Sequence, residues 1–135
     1  MSVLTPAEIT YLHSQQLGRL ATTGANRQPH VVPMAFRYNP DEDTIDIGGY
    51  RFSGTKKARD IGENHRVAFV VDDIASTDPW RVRMIEIRGE AEVVASGGGS
   101  IRPGFEETFV RIRPRRIVSF GIEGDNSPLA ARSVT

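Results

Sequence analysis

The sequence predicts a mainly β domain: an antiparallel barrel of six or more strands with two peripheral helices. Apolar and polar residues alternate along several segments, only two segments have helix signals, and mostly turn-rich connections join the strands. With 135 residues the chain suits a single core, so no second large domain is expected. We predict a barrel over residues 1–123 and a tail over residues 124–135.

The first helix has an unusually complete start signal. Thr5 is the expected N-cap, Pro6 takes the first helical position and Glu8 completes a capping box, with Leu4 and Ile9 at the positions of a hydrophobic staple. The helix is expected to run to about residue 16, burying its apolar face, before the glycine at position 18 ends it.

Strands follow from here, because the apolar period changes from helical spacing to alternation. The clearest alternation places Ile85, Ile87, Gly89, Ala91 and Val93 on one face, with charged residues between them. The expected strands are Leu20–Thr23, Val31–Tyr38, Thr44–Tyr50, Arg66–Val71, Ile85–Val93 and Phe109–Ile122, the last interrupted at Pro114.

Two segments carry little strand signal. Ala95–Gly104 contains three successive glycines and is expected to be a mobile loop. Gly124–Thr135 shows no periodicity, so we expect either a loosely held tail or an arm laid over a neighbouring subunit.

Composition excludes several classes of function. The 17 basic and 17 acidic side chains cancel, so no net field recruits nucleic acid or an anionic membrane. There is no cysteine, no signal-peptide pattern and no long apolar run, which together favour a cytoplasmic protein. The three histidines have no metal-ligand spacing, and no nucleophile elbow, phosphate loop or dinucleotide fingerprint occurs.

The segment most suggestive of chemistry joins a strand to the second helix, expected over roughly Lys56–Glu63. Ser53 or Thr55 is the N-cap, and Lys56 and Lys57 lie in the first turn, where each cation opposes the helix dipole at a cost of about 0.3–1 kcal/mol. Free N–H groups, hydroxyls and two ammonium groups are what a phosphate requires, so a bound phosphate would relieve the conflict. The alternative is that both lysines simply extend into solvent.

The order of motifs resembles the pyridoxamine-phosphate-oxidase-like split barrels over nearly the whole chain. The resemblance runs through Gly-Arg-Leu-Ala-Thr-Thr from Gly18, Pro-His-Val-Val-Pro-Met from Pro29, Lys-Lys-Ala-Arg-Asp-Ile from Lys56, and Arg-Val-Ala-Phe-Val-Val-Asp-Asp from Arg66. More narrowly, Pro79–Ala91 and Arg113–Ile122 look like the actinobacterial branch described as dependent on coenzyme F420. The resemblance implies a six- or seven-stranded split β-barrel.

The same resemblance implies a homodimer with cofactor at the subunit interface: coenzyme F420, or FMN as the alternative. Lys57 matches the phosphate-binding lysine of the family, and Trp80 and Arg81 begin a strand near the site. The tryptophan would stack on the ring or fill the dimer interface. With Tyr50, which is adjacent to the presumed phosphate segment, the full set of predicted cofactor contacts is Val32, Pro33, Met34, Tyr50, Arg51, Ser53, Thr55, Lys56, Lys57, Trp80 and Arg81.

The resulting hypothesis is an F420-dependent oxidoreductase that passes hydride to an unsaturated small organic substrate. The proton would come from solvent or from Tyr50. The alternatives are an FMN-dependent oxidase or reductase, a cofactor-storage protein without turnover, and a haem-binding protein. A basic run at positions 111, 113, 115 and 116 would contact the acidic tail of F420 or a nucleic acid, or form a solvated strand face paired with carboxylates such as Glu106 and Glu107. Net neutrality argues against nucleic acid.

Overall fold

The structure is a computed structural model that describes residues 1–134. Within that range it contains two α-helices, one short 3₁₀ turn and seven strands. The helices are α1 (Pro6–His13) and α2 (Lys56–Glu63), and the 3₁₀ turn is Gly98–Ser100. The strands are β1 (Leu17–Thr23), β2 (Pro29–Asn39), β3 (Thr44–Gly48), β4 (Arg66–Thr77), β5 (Trp80–Val94), β6 (Phe109–Phe120) and β7 (Ala130–Ser133).

The strands form one antiparallel sheet that closes on itself. Its order is β3-β2-β1-β4-β5-β6-β7, and a further pairing of β3 with β6 joins the ends of the six-stranded part. Closure leaves β7 outside the ring, paired only with β6 among the described strands. The predicted antiparallel barrel with two helices is therefore confirmed.

Inward-facing side chains of the six barrel strands fill the core. Leu20 on β1 lies opposite Phe69 on β4, and Phe69 lies opposite Ile87 on β5; all three are fully buried. The alternation predicted for β5 holds through Ala91, whereas Val93 near the end of that strand is exposed. Pro114 is accommodated at a register shift, where Gly89 lets the two backbones approach closely.

The first helix is shorter than predicted. It has the expected capping box, with Glu8 N–H donating to the Thr5 hydroxyl and Thr5 N–H donating to the Glu8 carboxylate. However, it ends at His13, and Gly18 is not its terminator. Gly18 lies inside β1, where a Cβ atom would collide with the ring of Phe69, so the glycine serves close packing in the barrel.

Residues 130–133 of the expected tail are not loosely held, because they form strand β7. Their side chains are mostly exposed, but the backbone pairs with β6 from Ser119 to Arg116. Arg132 reaches α1 and donates to both oxygens of Glu8, at 3.0 and 2.6 Å. Because Glu8 is fully buried, this ion pair ties the C-terminal strand to the first helix.

Neither helix of the described residues has the length and apolar character needed to cross a membrane.

Candidate functional site

A groove of about 260 Å³ opens where the strand-to-helix segment passes the middle of β2. Its walls are largely apolar, with the carbon atoms of Met34 and the aromatic rings of Tyr50 and Phe105 among them. The Tyr50 and Phe105 rings meet edge to face, with centroids 4.9 Å apart. The lining residues are Pro33, Met34, Ala35, Gly48, Gly49, Tyr50, Arg51, Phe52, Lys57 and Phe105. Five of the predicted cofactor contacts therefore lie around one groove.

The two adjacent lysines at the start of α2 have different surroundings. Lys56 donates to both oxygens of the buried Asp60, one turn further along, at 3.0 and 3.1 Å. Burial by itself would raise the pKa of Asp60, but hydrogen bonds from Lys56 and Thr22 outweigh it and hold that pKa below its usual value. Lys57 lines the groove and has no hydrogen bond or ion pair to any residue from 1 to 134.

This difference corrects the expectation that two ammonium groups converge on one phosphate. The spacing of four residues allows Lys56 to pair with Asp60 along the helix, and the pair already neutralises its charge. Lys57 alone remains as a half-buried cation facing the groove. A phosphate near this helix would therefore meet one free ammonium group from α2.

The two candidate capping residues also have different hydrogen-bond partners. Thr55 is the N-cap of α2: its hydroxyl accepts from Ala58 N–H and donates to the Phe52 carbonyl at 2.6 Å. Ser53 instead donates its hydroxyl and its backbone N–H to the carboxylate of Glu106. These hydroxyls are already engaged within the chain.

Trp80 and Arg81 line a separate groove of about 190 Å³ that shares no residue with the first. It lies at the far end of the β4–β5 hairpin, beside the end of β6, and includes Phe120. The indole is 64% exposed, and Arg81 forms an ion pair with Asp125 at 2.7 Å. Within one chain, the structure does not bring these two residues to the Lys57 groove.

Val32 packs half-buried against the barrel core rather than lining the groove. Sequence reasoning missed Phe105 and Glu106, because both follow the glycine-rich loop and neither belongs to an alternating pattern. Phe105 reaches the groove and Glu106 reaches Ser53 beside it, because the pairing of β3 with β6 brings the segment before β6 against the segment after β3. An aromatic residue beside two acidic residues in a loop was the only local signal.

In the basic run on β6, the arginines at positions 111, 113 and 115 form ion pairs, and Arg116 donates to the Ser133 hydroxyl. Arg111 binds the buried Asp46 with two hydrogen bonds, at 3.1 and 3.2 Å, and Arg115 binds Glu90 at 2.8 Å. The carboxylate partners are thus not Glu106 and Glu107, as the sequence suggested. Closure of the barrel places Asp46 opposite Arg111 in the β3–β6 register, a pairing that local sequence does not reveal.

Comparison with known proteins identifies the protein family of this chain. The sequence model of the family described as pyridoxamine 5'-phosphate oxidase matches residues 4–118, which include α1, the groove and most of the barrel. The chain belongs to this family. The family assignment confirms the resemblance read from the motifs and the split-barrel fold that it implied.

Among curated relatives, this family member is similar to a 5a,11a-dehydrotetracycline/5a,11a-dehydrooxytetracycline reductase of Streptomyces rimosus. The two are 46% identical over 132 residues, covering 97% of this chain and 93% of the relative. A relative of that similarity and coverage supports an oxidoreductase.

Solved structures of low sequence identity share the fold. An FAD-binding protein from Mycobacterium smegmatis is 24% identical, with a TM-score of 0.66 over 88% of this chain and 96% of that one. A heme-binding protein from the same organism is 15% identical, with a TM-score of 0.68 over 97% of this chain and 60% of that one.

Proposed function

We propose that this protein is an F420-dependent oxidoreductase that transfers hydride from the reduced deazaflavin to a carbon–carbon double bond of a small organic substrate. The observation that carries the proposal is the groove in which Lys57, without a partner among residues 1–134, lies beside apolar and aromatic walls. The identity of 46% with a reductase of an unsaturated tetracycline supports the reaction type.

The residues of the groove fit such a cofactor. A flat ring system is matched by the apolar wall of Pro33 and Met34 and by the exposed Tyr50 ring, while an anionic phosphate is matched by Lys57 and Arg51. The deazaflavin, when bound, supplies the hydride chemistry. The chain fixes the ring against its apolar wall and holds the phosphate by charge.

Reduction of a double bond also requires a proton. Tyr50 is 66% exposed at the groove, and its hydroxyl has no hydrogen-bond partner among residues 1–134. This hydroxyl or solvent water delivers the proton, and the two sources are separated by Tyr50→Phe. If the tyrosine is the donor, the variant keeps cofactor affinity but loses most of its turnover rate.

We also propose that the active form is a homodimer. Apolar residues form rows on the outer surface of β1, β2 and β4: Val31 lies opposite Ala21, and Ala21 lies opposite Ala68. Val31 is 64% exposed and Leu17, on the same surface, is 51% exposed. A second copy would bury this outer surface, as the continuous apolar sequence of β4 also favours.

The proposed interface reaches the groove. Pro33 lies on β2 in the next row of the outer surface and also lines the groove. A second chain packed on this surface would therefore cover the groove and bring its own side chains to it. Trp80 and Arg81 of that second chain are candidates for this contribution, since they lie away from the groove of their own chain.

The proposed function is tested by mixing purified protein anaerobically with reduced F420 and 5a,11a-dehydrotetracycline, while the deazaflavin absorbance is followed. We expect oxidation of the cofactor with one equivalent of reduced product. Binding of F420 without oxidation by this or a panel of related enones would support a storage protein instead. Turnover with reduced FMN, and none with reduced F420, would show that the enzyme depends on FMN rather than on F420.

A further inference from the structure

The loop before β6 lies against the segment that leads into α2. Glu106 N–H donates to the Gly49 carbonyl at 2.9 Å, and Phe105 packs against Tyr50. Gly104 has a φ of +91°, a conformation that L-residues rarely adopt, and it turns the chain beside the Tyr50 ring. The loop is thereby fixed at the edge of the Lys57 groove.

The carboxylate of Glu106 is held by hydrogen-bond donors of Ser53. The Ser53 backbone N–H donates to Oε1 at 3.1 Å, and the Ser53 hydroxyl donates to Oε2. These hydrogen bonds, of which the one from the hydroxyl has the largest effect, hold the pKa of Glu106 below its usual value. The carboxyl group is therefore an anion at neutral pH. An internal anion therefore occupies two donors that sequence analysis assigned to a cofactor phosphate.

The charges near the groove consequently sum to a small value. Arg51 and Lys57 line it as cations, whereas Lys56 is neutralised by Asp60. Glu106 subtracts one charge, so these two cations and one anion leave about +1. A phosphodiester carries one negative charge, but a phosphate monoester carries about −1.5 to −2 at pH 7.

We propose that Glu106 is a specificity-determining residue that makes the groove favour a cofactor with a phosphodiester over one with a terminal phosphate monoester. This inference rests on the proposed function, in which the cofactor phosphate meets Lys57. Within residues 1–134, Arg51 and Lys57 are the cations that line the groove, so the extra charge of a monoester meets the fixed carboxylate uncompensated. F420, a phosphodiester, satisfies the site, and FMN, a monoester, is selected against.

The test uses Glu106→Gln, which removes the charge but retains an oxygen that accepts hydrogen bonds from Ser53. Affinities for F420, FMN and riboflavin are measured by fluorescence titration at low salt. We expect FMN to bind about tenfold more tightly in the variant, because the like charge of the fixed carboxylate beside the groove is removed, and F420 to change by less than about threefold. Riboflavin, which has no phosphate, should be unaffected.

Glu107→Gln is the matched control. Glu107 is the exposed neighbour whose carboxylate accepts from Gly97 N–H, away from Ser53. This substitution removes the same charge from the same loop and should leave the ratio of FMN to F420 affinity unchanged. An equal gain for FMN in both variants would show a general effect of net charge and would overturn the assignment to Glu106.

Lys57→Ala separates failure of this inference from failure of the proposed function. If it weakens binding of both phosphate-bearing cofactors while Glu106→Gln leaves their ratio unchanged, the groove holds the phosphate and only the role of Glu106 is refuted. If Lys57→Ala has no effect on either cofactor, the phosphate does not lie in this groove, and both proposals are wrong.

Discussion

Replacing Lys57 and Lys56 separately by alanine tests whether only one of these adjacent lysines binds the cofactor. Lys57 faces the groove without a partner in the described chain, whereas Lys56 is bound to Asp60. We expect Lys57→Ala to weaken cofactor binding strongly and Lys56→Ala to weaken it little. The two substitutions remove the same charge from neighbouring positions, so each controls for the other.

The magnitude follows from the type of contact. A charge-assisted hydrogen bond to a partly exposed phosphate contributes roughly 1.5–3 kcal/mol, which corresponds to about a tenfold to hundredfold loss of affinity. Removing Lys57 also removes a cation from the first turn of α2, where it opposes the helix dipole. The free energy of unfolding without cofactor should therefore stay the same or rise by about 0.3–1 kcal/mol.

The stability of the Lys56 variant should change in the opposite direction. Without its ammonium group, the buried Asp60 keeps only the hydroxyl of Thr22 as a side-chain donor within the described residues. The helix dipole alone would predict unchanged or improved stability when either lysine is removed, and the ion pair reverses that expectation for Lys56. Thermal unfolding should show a lower midpoint for Lys56→Ala than for Lys57→Ala.

The assay is a fluorescence titration of each variant with F420 at moderate salt, accompanied by thermal unfolding. The reasoning is refuted if Lys57→Ala binds as well as the unmodified protein, or if Lys56→Ala loses as much affinity as Lys57→Ala while remaining folded.

Three further predictions concern stability. Arg132→Ala should lower the free energy of unfolding by about 1.5–3 kcal/mol, measured by urea denaturation, because it leaves the buried Glu8 without its cation; a change near zero would show that β7 does not hold α1. Gly18→Ala should cost about 1–3 kcal/mol through collision with the Phe69 ring, and an unchanged melting temperature would contradict that packing. The pKa of Asp73 is lowered, first of all by hydrogen bonds from Arg83 on β5. The stability that Asp73 contributes is therefore complete above its unfolded pKa and is lost as the pH falls through its folded pKa. The free energy of unfolding, measured from pH 6 to 3, should fall less in Asp73→Asn than in the unmodified protein.

Local signals predicted much of the fold. The bounds expected for α2 match the structure, and the capping box at Thr5 is present, because both depend on residues within one turn of each other. Alternation gave the inward face of β5 for the same reason. The predicted run of the first helix to about residue 16 was wrong because Gly18 signals either a helix end or a close approach in a strand, and only the neighbouring Phe69 decides between them.

The seventh strand was missed for a different reason. Alternation arises when one face of a strand is buried, but β7 lies at the outer edge of the sheet and its side chains are mostly exposed. Its position depends on backbone pairing with β6 and on Arg132 meeting Glu8, 124 residues away in sequence. A contact between residues so far apart leaves no periodic trace.

The candidate site shows the same limit. The resemblance to the family pointed to Lys57, Pro33, Met34 and Arg51, and adjacency in sequence pointed to Tyr50; the fold brings all five to one groove. The i,i+4 spacing of Lys56 and Asp60 is a local signal that is sufficient to indicate their ion pair on α2. The carboxylate that accepts hydrogen bonds from Ser53, however, belongs to Glu106, 53 residues away in a loop. The separate position of the Trp80 groove depends on how the barrel closes.

Titration of the purified protein with F420, FMN and haem, followed by the absorbance of each cofactor, tests the central claim most directly. We predict saturable binding of F420 at one equivalent per chain, tighter than that of FMN, with haem failing to compete. Micromolar or tighter binding of FMN, and none of F420, would contradict the cofactor assignment and with it the proposed role of Glu106.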